Sequence, residues 1–218
     1  MKIVKMCLQS VLFLLIPVLQ VMGQPGIKWQ ETFSESGLPE GWRLVDNDGS
    51  GTSLLFTDQI NLPDGTEVTA ESGQYFLTGS SGCANGAGHI DEWLISPAIS
   101  VIQEADSLHF YAGSRGTHFD DSLRVFISTG GNQVSDFEHR LGYFRVKGYD
   151  DSEVWHRYSF SLSDFSDMSV RFGINYHIRD GGSGGLHSDL CWIDHFMISG
   201  DPSTINSPPA PFQLNTPP

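Results

Sequence analysis

Short apolar segments with a period of two, separated by turns rich in glycine, constrain the fold of this chain most. Leu108, Phe110 and Ala112 occupy every second position of one such segment. This alternation places apolar side chains on one face of a β-strand. Many short strands at fairly regular spacing predict an all-β sandwich or barrel. The predicted strands lie at residues 29–33, 42–46, 74–78, 92–96, 107–112, 122–128, 141–147, 155–162, 169–177 and 190–199.

The first residues have the composition of an export signal. Lys2 and Lys5 precede an apolar run at residues 11–21, and small-residue cleavage spacing follows. This pattern predicts a secretory signal peptide at residues 1–23. The run is too short, and too interrupted by Pro17, to be a transmembrane segment. We therefore expect a secreted or cell-surface protein.

The last residues differ in composition from the middle of the chain. Residues 201–218 are rich in proline and offer no pattern that would build a core, so they are predicted to be a linker or tail. The intervening residues 24–200 are predicted to form one domain. Because a linker normally leads to something, we expect a module of a longer chain, with other domains as partners.

The charge balance excludes two classes of partner. The chain has 12 basic and 26 acidic residues; without residues 1–23, 10 basic and 26 acidic residues remain, a formal charge of −16 with neutral histidines. Nucleic acids and anionic membranes are bound through Lys and Arg, so neither is an expected partner. His-Glu-x-x-His and Cys-x-x-Cys do not occur in the sequence, and Gly-x-Ser-x-Gly occurs only within the glycine-rich run 181–185, where the pattern predicts a turn and no strand-to-helix elbow. We expect no enzyme, with a hydrolase on a β-sandwich as the remaining catalytic alternative.

A short acidic loop is a candidate calcium site. Asp46 and Asp48 alternate within Asp-Asn-Asp-Gly-Ser-Gly, a segment with two glycines. Calcium takes several oxygen ligands, and alternate acids in a tight loop can converge on one ion. A plain Asx turn fits the same residues almost as well.

Two further carboxylates lie in predicted strands. Asp194 is in phase with Phe196 and Ile198, which are expected to face the core. A carboxylate there is costly unless it is paired or bound to a metal. Glu31 lies in the first predicted strand, between Trp29 and Phe33, and a carboxylate there would also need a partner. Because first and last strands are often neighbours in a sandwich, Glu31 and Asp194 are candidate ligands of one Ca²⁺ ion. The alternatives are a bulge that turns Asp194 outward, or an arginine or backbone N–H groups that satisfy it.

Two cysteines remain once Cys7 leaves with the signal peptide. Cys83 and Cys191 predict a disulfide, since an even pair in an exported chain usually forms one. The alternative is two unpaired, buried cysteines.

The motifs in their order resemble those of the cleaved-adhesin or choice-of-anchor J domain family. Leu-Pro-Glu-Gly-Trp42 is followed by the acidic loop and then by Asp91-Glu-Trp-Leu-Ile-Ser-Pro. Asp121-Ser-Leu-Arg-Val-Phe-Ile-Ser-Thr-Gly-Gly and Trp192-Ile-Asp complete the series. Each motif alone is weak, but the order and spacing extend over residues 29–200.

The resemblance implies a jelly-roll β-sandwich of two antiparallel sheets with structural calcium. It places calcium ligands at Asp46, Asp48 and Asp194 and carries over no catalytic residue. Such modules occur in large secreted bacterial surface proteins, in the manner of gingipain haemagglutinin-adhesin regions. The implied function is binding or adhesion to an extracellular glycan or a host or matrix protein; the alternative is a spacer or accessory domain of a larger hydrolase or peptidase.

The ligand-binding residues are not identified by any motif. An exposed aromatic platform would favour a glycan. The candidates for it are Tyr143, Phe144, Tyr149 and Trp155, although the neighbours of Trp155 favour a place in a strand core.

Overall fold

The computed structural model describes residues 26–84, 86–116, 119–149 and 153–200. The predicted signal peptide at residues 1–23 and the predicted tail at residues 201–218 lie outside this part. Among the described residues, no helix is long and apolar enough to cross a membrane.

The described residues form thirteen β-strands and three short 3₁₀ helices. Each of the ten predicted segments overlaps a strand, whereas the three strands of three residues between positions 55 and 69 were not predicted. The strands are β1 (Gly26–Glu31), β2 (Arg43–Asp46), β3 (Leu55–Thr57), β4 (Gln59–Asn61), β5 (Glu67–Thr69), β6 (Phe76–Ser80), β7 (Gly88–Ile95), β8 (Ser107–Ser114), β9 (Ser122–Ser128), β10 (His139–Arg145), β11 (His156–Ser161), β12 (Arg171–Gly181) and β13 (Leu190–Gly200). The helices are Ser81–Cys83, Val134–Asp136 and Ser163–Phe165.

The strands build two main sheets in which every paired strand is antiparallel. The six-stranded sheet has the order β11-β8-β13-β6-β3, with β1 paired to β13. The five-stranded sheet has the order β10-β9-β12-β7-β2, and β4 and β5 form a separate hairpin. This arrangement confirms the predicted jelly-roll β-sandwich.

The main core lies between the two sheets, where the alternating side chains of both meet. Ile174 on β12 and Ile193 on β13 are fully buried members of one apolar cluster. Aromatic rings join the sheets in this cluster: Phe172 on β12 stacks on Phe196 of β13 at 5.1 Å between centroids, and Trp42 packs at 5.3 Å from Phe196. Each aromatic pair of this kind stabilises the fold by ~0.5–1.5 kcal/mol beyond the contribution of its buried area. These pairs therefore help to hold the two sheets together.

Smaller apolar clusters cover the outer sides of both sheets. Phe76 and Trp192 project away from the main core and pack with residues of the β4–β5 hairpin. On the five-stranded sheet, Trp93 and Ile95 pack against Phe137. Segments outside the sandwich layers therefore shield parts of both outer faces, and one of these segments buries Asp194.

Candidate cation sites and binding cleft

The acidic loop after β2 brings three carboxylates together, which we call the acidic-loop cluster: Asp46, Asp48 and Glu92. One ligand atom from each lies within 4.8 Å of the others. The loop is held by its own amides, since Gly49 N–H and Gly51 N–H donate to the two oxygens of Asp46 at 2.7 and 2.8 Å. Both glycines have positive φ, which lets the loop fold back on Asp46 without strain.

Asp48 connects the loop to the neighbouring strand. Its Oδ2 accepts from Asp91 N–H at 2.7 Å and its Oδ1 from Ser50 N–H at 2.8 Å. The pairing of β2 with β7 sets Asp46 opposite Glu92. The pKa of Asp46 is lowered, above all by the Gly51 N–H, so this loop presents negative charge to its surroundings.

Glu92 is the member of the cluster that sequence reasoning missed. It is fully buried, and neither carboxylate oxygen has a hydrogen-bond partner among the described residues. Burial, together with the nearby charges of Asp46 and Asp48, raises the pKa of Glu92 to about 8. The signal was present in the sequence: Glu92 lies in phase with Ile90 and Leu94, two core residues of the same strand.

The cluster has the chemistry of a hard-cation site. Two ligands on opposite sides of one Ca²⁺ ion are at most about 5 Å apart, because each Ca–O distance is ~2.3–2.6 Å. The three carboxylates fall within that limit. A cation would also supply the electrostatic partner that the buried carboxylate of Glu92 lacks, since an unpaired buried charge is costly.

Asp194 lies outside the acidic-loop cluster and does not share a face with Phe196 and Ile198, contrary to the prediction. A bulge between Asp194 and Met197 changes the phase of β13, and His195 takes a positive φ of 47° there. Ile193 and Phe196 therefore both face the main core, while Asp194 projects to the side of Trp192.

Backbone amides satisfy Asp194, as one of the sequence alternatives anticipated. Its Oδ2 accepts from Glu71 N–H at 2.8 Å and Ser72 N–H at 3.1 Å, and its Oδ1 accepts from His195 N–H at 2.6 Å. The loop that carries Glu71 and Ser72 closes over the Asp194 side chain, which is fully buried. Burial raises the pKa of Asp194 to about 7 although all three N–H groups favour the carboxylate.

Glu31 lies near this second location. The predicted pairing of the first and last strands is present, and it sets Glu31 opposite Phe196 on β13. Glu31 Oε1 accepts from Phe33 N–H at 2.8 Å. Calcium binding by Asp194 and Glu31 stays a prediction, at a place separate from the acidic-loop cluster.

The predicted disulfide is not formed in the structure. Cys83 and Cys191 are both free and both buried, which matches the sequence alternative. Cys83 Sγ instead contacts the Ser53 carbonyl at 3.5 Å as a weak hydrogen-bond donor. Burial raises the pKa of Cys83 to about 11, which keeps the thiol protonated and unreactive.

Only one of the four candidate platform aromatics is exposed. Tyr143 is 58% exposed, whereas Phe144 stacks on Tyr158 at 4.3 Å. Tyr149 and Trp155 pack against Trp192. These two rings belong to the apolar cluster that Phe76 and Trp192 form with the β4–β5 hairpin, which the sequence did not predict.

Tyr143 lies at the edge of a surface cleft, which we call the Tyr143 cleft. The Arg124 guanidinium lies 5.2 Å from the centre of the Tyr143 ring, a cation–π contact that fixes the ring. Arg145 and Arg179 bring positive charge to an otherwise acidic protein, and Arg145 pairs with Asp120 at 2.5 Å. The cleft is lined by Asp120, Ser122, Tyr143, Phe144, Arg145, Ile178, Arg179 and His187.

Comparison with known proteins identifies relatives of this chain. The model of the Cleaved Adhesin Domain family matches residues 27–148. Hemagglutinin A of Porphyromonas gingivalis is 30% identical over 115 residues, which is 51% of this chain and 4% of that protein. The chain thus spans a small fraction of the length of the curated relatives it matches.

Solved structures reproduce the fold. The K3 cleaved adhesin domain of Lys-gingipain from P. gingivalis superposes with a TM-score of 0.57 at 18% identity, over 79% of this chain and 98% of that domain. The K1 domain of the same protein gives 0.56 at 18% identity, over 81% and 98%. At this identity the likeness establishes the sandwich architecture alone.

Proposed function

Because the chain belongs to the cleaved adhesin domain family, we propose that it is a secreted, non-catalytic module for extracellular binding or adhesion, stabilised by calcium. The family match over residues 27–148 is the observation that carries the proposal. The predicted signal peptide and the acidic charge agree with a place outside the cell or on its surface. The match covers only 4% of Hemagglutinin A, so the related region there is a small part of a much longer protein. This agrees with a place for the present domain among other modules.

Calcium is assigned to the acidic-loop cluster in this proposal. The loop amides already fix Asp46 and Asp48, so little ordering is needed when an ion binds. Glu92 then completes the site from the sheet. The ion would lie where β2 and β7 meet the loop and would therefore join the loop to the five-stranded sheet.

The Tyr143 cleft is assigned to the ligand. An exposed ring next to hydroxyl, carboxylate and guanidinium groups suits a glycan, because sugar faces stack on aromatic rings and sugar hydroxyls bond to charged side chains. Arg145 and Arg179 favour ligands that carry acidic groups. A glycan or the surface of a host or matrix protein can present both features.

The proposal can be tested with a glycan array and a panel of matrix proteins. Each is probed once with calcium at about 1 mM and once with a chelator. We expect binding to at least one ligand class, weakened by Tyr143→Ala. Leu55→Ala is the matched control, because Leu55 is 64% exposed on the six-stranded sheet, away from the cleft. Equal loss in both variants would contradict the assignment of the cleft.

A spacer or accessory domain of a larger hydrolase is the second candidate. It is favoured by the comparison with Lys-gingipain, in which such domains occur beside other regions of a longer protein. A spacer would bind no array ligand with or without calcium, yet calcium would still raise its melting temperature. That pair of results would replace the adhesion proposal with the spacer.

A further inference from the structure

We propose that His89, Asp91 and His177 form a site for a borderline transition-metal ion such as Zn²⁺, on the outer face of the five-stranded sheet. We call these three residues the histidine cluster. His89 and Asp91 alternate on β7, and His177 lies directly opposite Asp91 on β12. The three side chains therefore project from the same face of two paired strands.

The distances within the cluster match those between ligands of one zinc ion. His89 Nε2 lies 3.0 Å from His177 Nδ1, and His177 Nδ1 lies 3.7 Å from Asp91 Oδ1. With Zn–N and Zn–O distances of ~2.0–2.1 Å, tetrahedral ligands are about 3.3 Å apart. The two observed separations bracket that value, and all three ligand atoms lie within 4.8 Å of one another, so side-chain rotations can bring them to one ion.

The carboxylate of the cluster is already oriented by its neighbours. Asp91 Oδ1 accepts from Trp93 Nε1 at 2.9 Å and from Asn175 Nδ2 at 2.7 Å, and Asp91 Oδ2 accepts from Asn47 Nδ2 at 2.6 Å. Because Asp91 Oδ1 has two lone pairs, a metal ion there takes the place of one of its two donors, and the remaining donors still hold the carboxylate in position. Asn175 is fully buried, which makes this support rigid.

The donor atoms distinguish this site from the acidic-loop cluster. Two imidazole nitrogens and one carboxylate suit zinc and related ions, whereas calcium takes oxygen ligands. His89 is exposed while His177 is buried, so the ion would lie at the surface. Three protein ligands leave a fourth position for water or for a donor group of an external ligand.

Calorimetric titration of the purified protein with Zn²⁺, in buffer with saturating calcium, tests the proposal. We expect one zinc ion per chain and at least tenfold weaker binding in both His89→Gln and His177→Gln. Co²⁺ in place of zinc should give the intense visible absorption of a tetrahedral centre. His89→Gln is informative even where His177→Gln does not fold, because His89 is exposed.

Two control variants separate this site from others. His139→Gln removes an exposed histidine on β10 and should leave zinc affinity unchanged. Glu104→Gln removes an exposed carboxylate outside the candidate sites and should also leave it unchanged. Zinc binding that persists in His89→Gln, that is lost in Glu104→Gln, or that is absent from the parent protein would overturn the proposal.

Discussion

Glu92 and Asp194 are both fully buried carboxylates at strand positions, yet their surroundings differ. Three backbone N–H groups donate to Asp194, two of them from the covering loop. Glu92 has no hydrogen-bond partner among the described residues, and its nearest charged neighbours are other carboxylates. The fold therefore supplies donors to Asp194, whereas the ionised form of Glu92 lacks a partner among the described residues.

The difference between Asp194 and Glu92 shows that a buried carboxylate can have a structural role or can mark a cation site, depending on its hydrogen-bond donors. A buried carboxylate with several N–H donors holds a loop in place and contributes to stability whether or not a metal is present. A buried carboxylate beside two other acids destabilises the fold until a cation or a proton neutralises it. The two regions should therefore respond differently to the same carboxylate-to-amide change: stability should fall with and without calcium at Asp194, and only with calcium at Glu92.

The largest expected effect is that of Asp194→Asn. The amide places N–H donors opposite backbone N–H groups, so at least one buried donor loses its acceptor, and the part of the Asp194 population that is ionised at pH 7 also loses its charge-assisted bonds. We expect a loss of about 3 kcal/mol in the free energy of unfolding. Urea denaturation with calcium and with chelator should give the same loss.

A loss that appears only with calcium would contradict the view that Asp194 acts through the backbone. It would instead support the sequence-based prediction of a calcium ion at Asp194 and Glu31. Glu31→Gln is the companion variant. If a calcium ion binds at Asp194 and Glu31, both Glu31→Gln and Asp194→Asn should reduce the stabilisation that calcium gives.

The next largest effect is expected at Glu92. Binding of calcium to the folded form alone stabilises it by RT ln(1 + [L]/Kd), ~2.7 kcal/mol at a hundredfold excess over Kd. Glu92→Gln should abolish most of that gain. In chelator at pH 7 the variant should have nearly the stability of the parent, because a pKa of about 8 means that Glu92 is largely protonated there.

Thermal melting with and without calcium, for the parent, Glu92→Gln and Asp194→Asn, separates the two regions in one experiment. A full calcium response in Glu92→Gln would remove the acidic-loop cluster as the site. Asp46→Asn and Asp48→Asn then report which oxygens of the loop matter.

The sequence predicted the fold well because alternation is a local property of each strand. Ten of the strands overlap predicted segments, and only β3, β4 and β5, each of three residues, were too short to give a pattern. The acidic loop was also local, and the structure holds Asp46 and Asp48 together as expected.

The rest of the candidate sites depends on register and bulges, which a single strand does not reveal. Glu92 joins the acidic loop because β2 pairs with β7, and His177 meets Asp91 through the pairing of β12 with β7. Asp194 was assigned to the wrong face because a bulge shifts the phase of β13. Pairings between distant segments therefore brought together residues that sequence reasoning did not combine into one site.

The smallest expected effect on stability concerns a third buried carboxylate, Asp121. It tests whether hydrogen-bond donors alone can offset the cost of burying a charged carboxylate. Asp121 accepts from the Tyr176 hydroxyl at 2.7 Å and from the N–H groups of Asp189 and Leu190 at 3.1 and 3.2 Å. Burial nevertheless raises the pKa of Asp121 to about 6, from 3.8. Three donors therefore reduce the cost of this buried charge without removing it.

A raised folded-state pKa means that the native protein binds the proton more tightly than the unfolded chain, so stability falls as pH rises between the two values. From pH 5 to pH 7 Asp121 alone should lower the free energy of unfolding by about 1 kcal/mol. Asp194, with its pKa also raised, acts in the same direction, so the measurement is the difference in slope between the parent and Asp121→Asn in chelator. The variant should show the shallower decline, because it no longer carries the group that ionises. Parallel slopes would mean that Asp121 ionises without cost, and that its three donors offset the effect of burial completely.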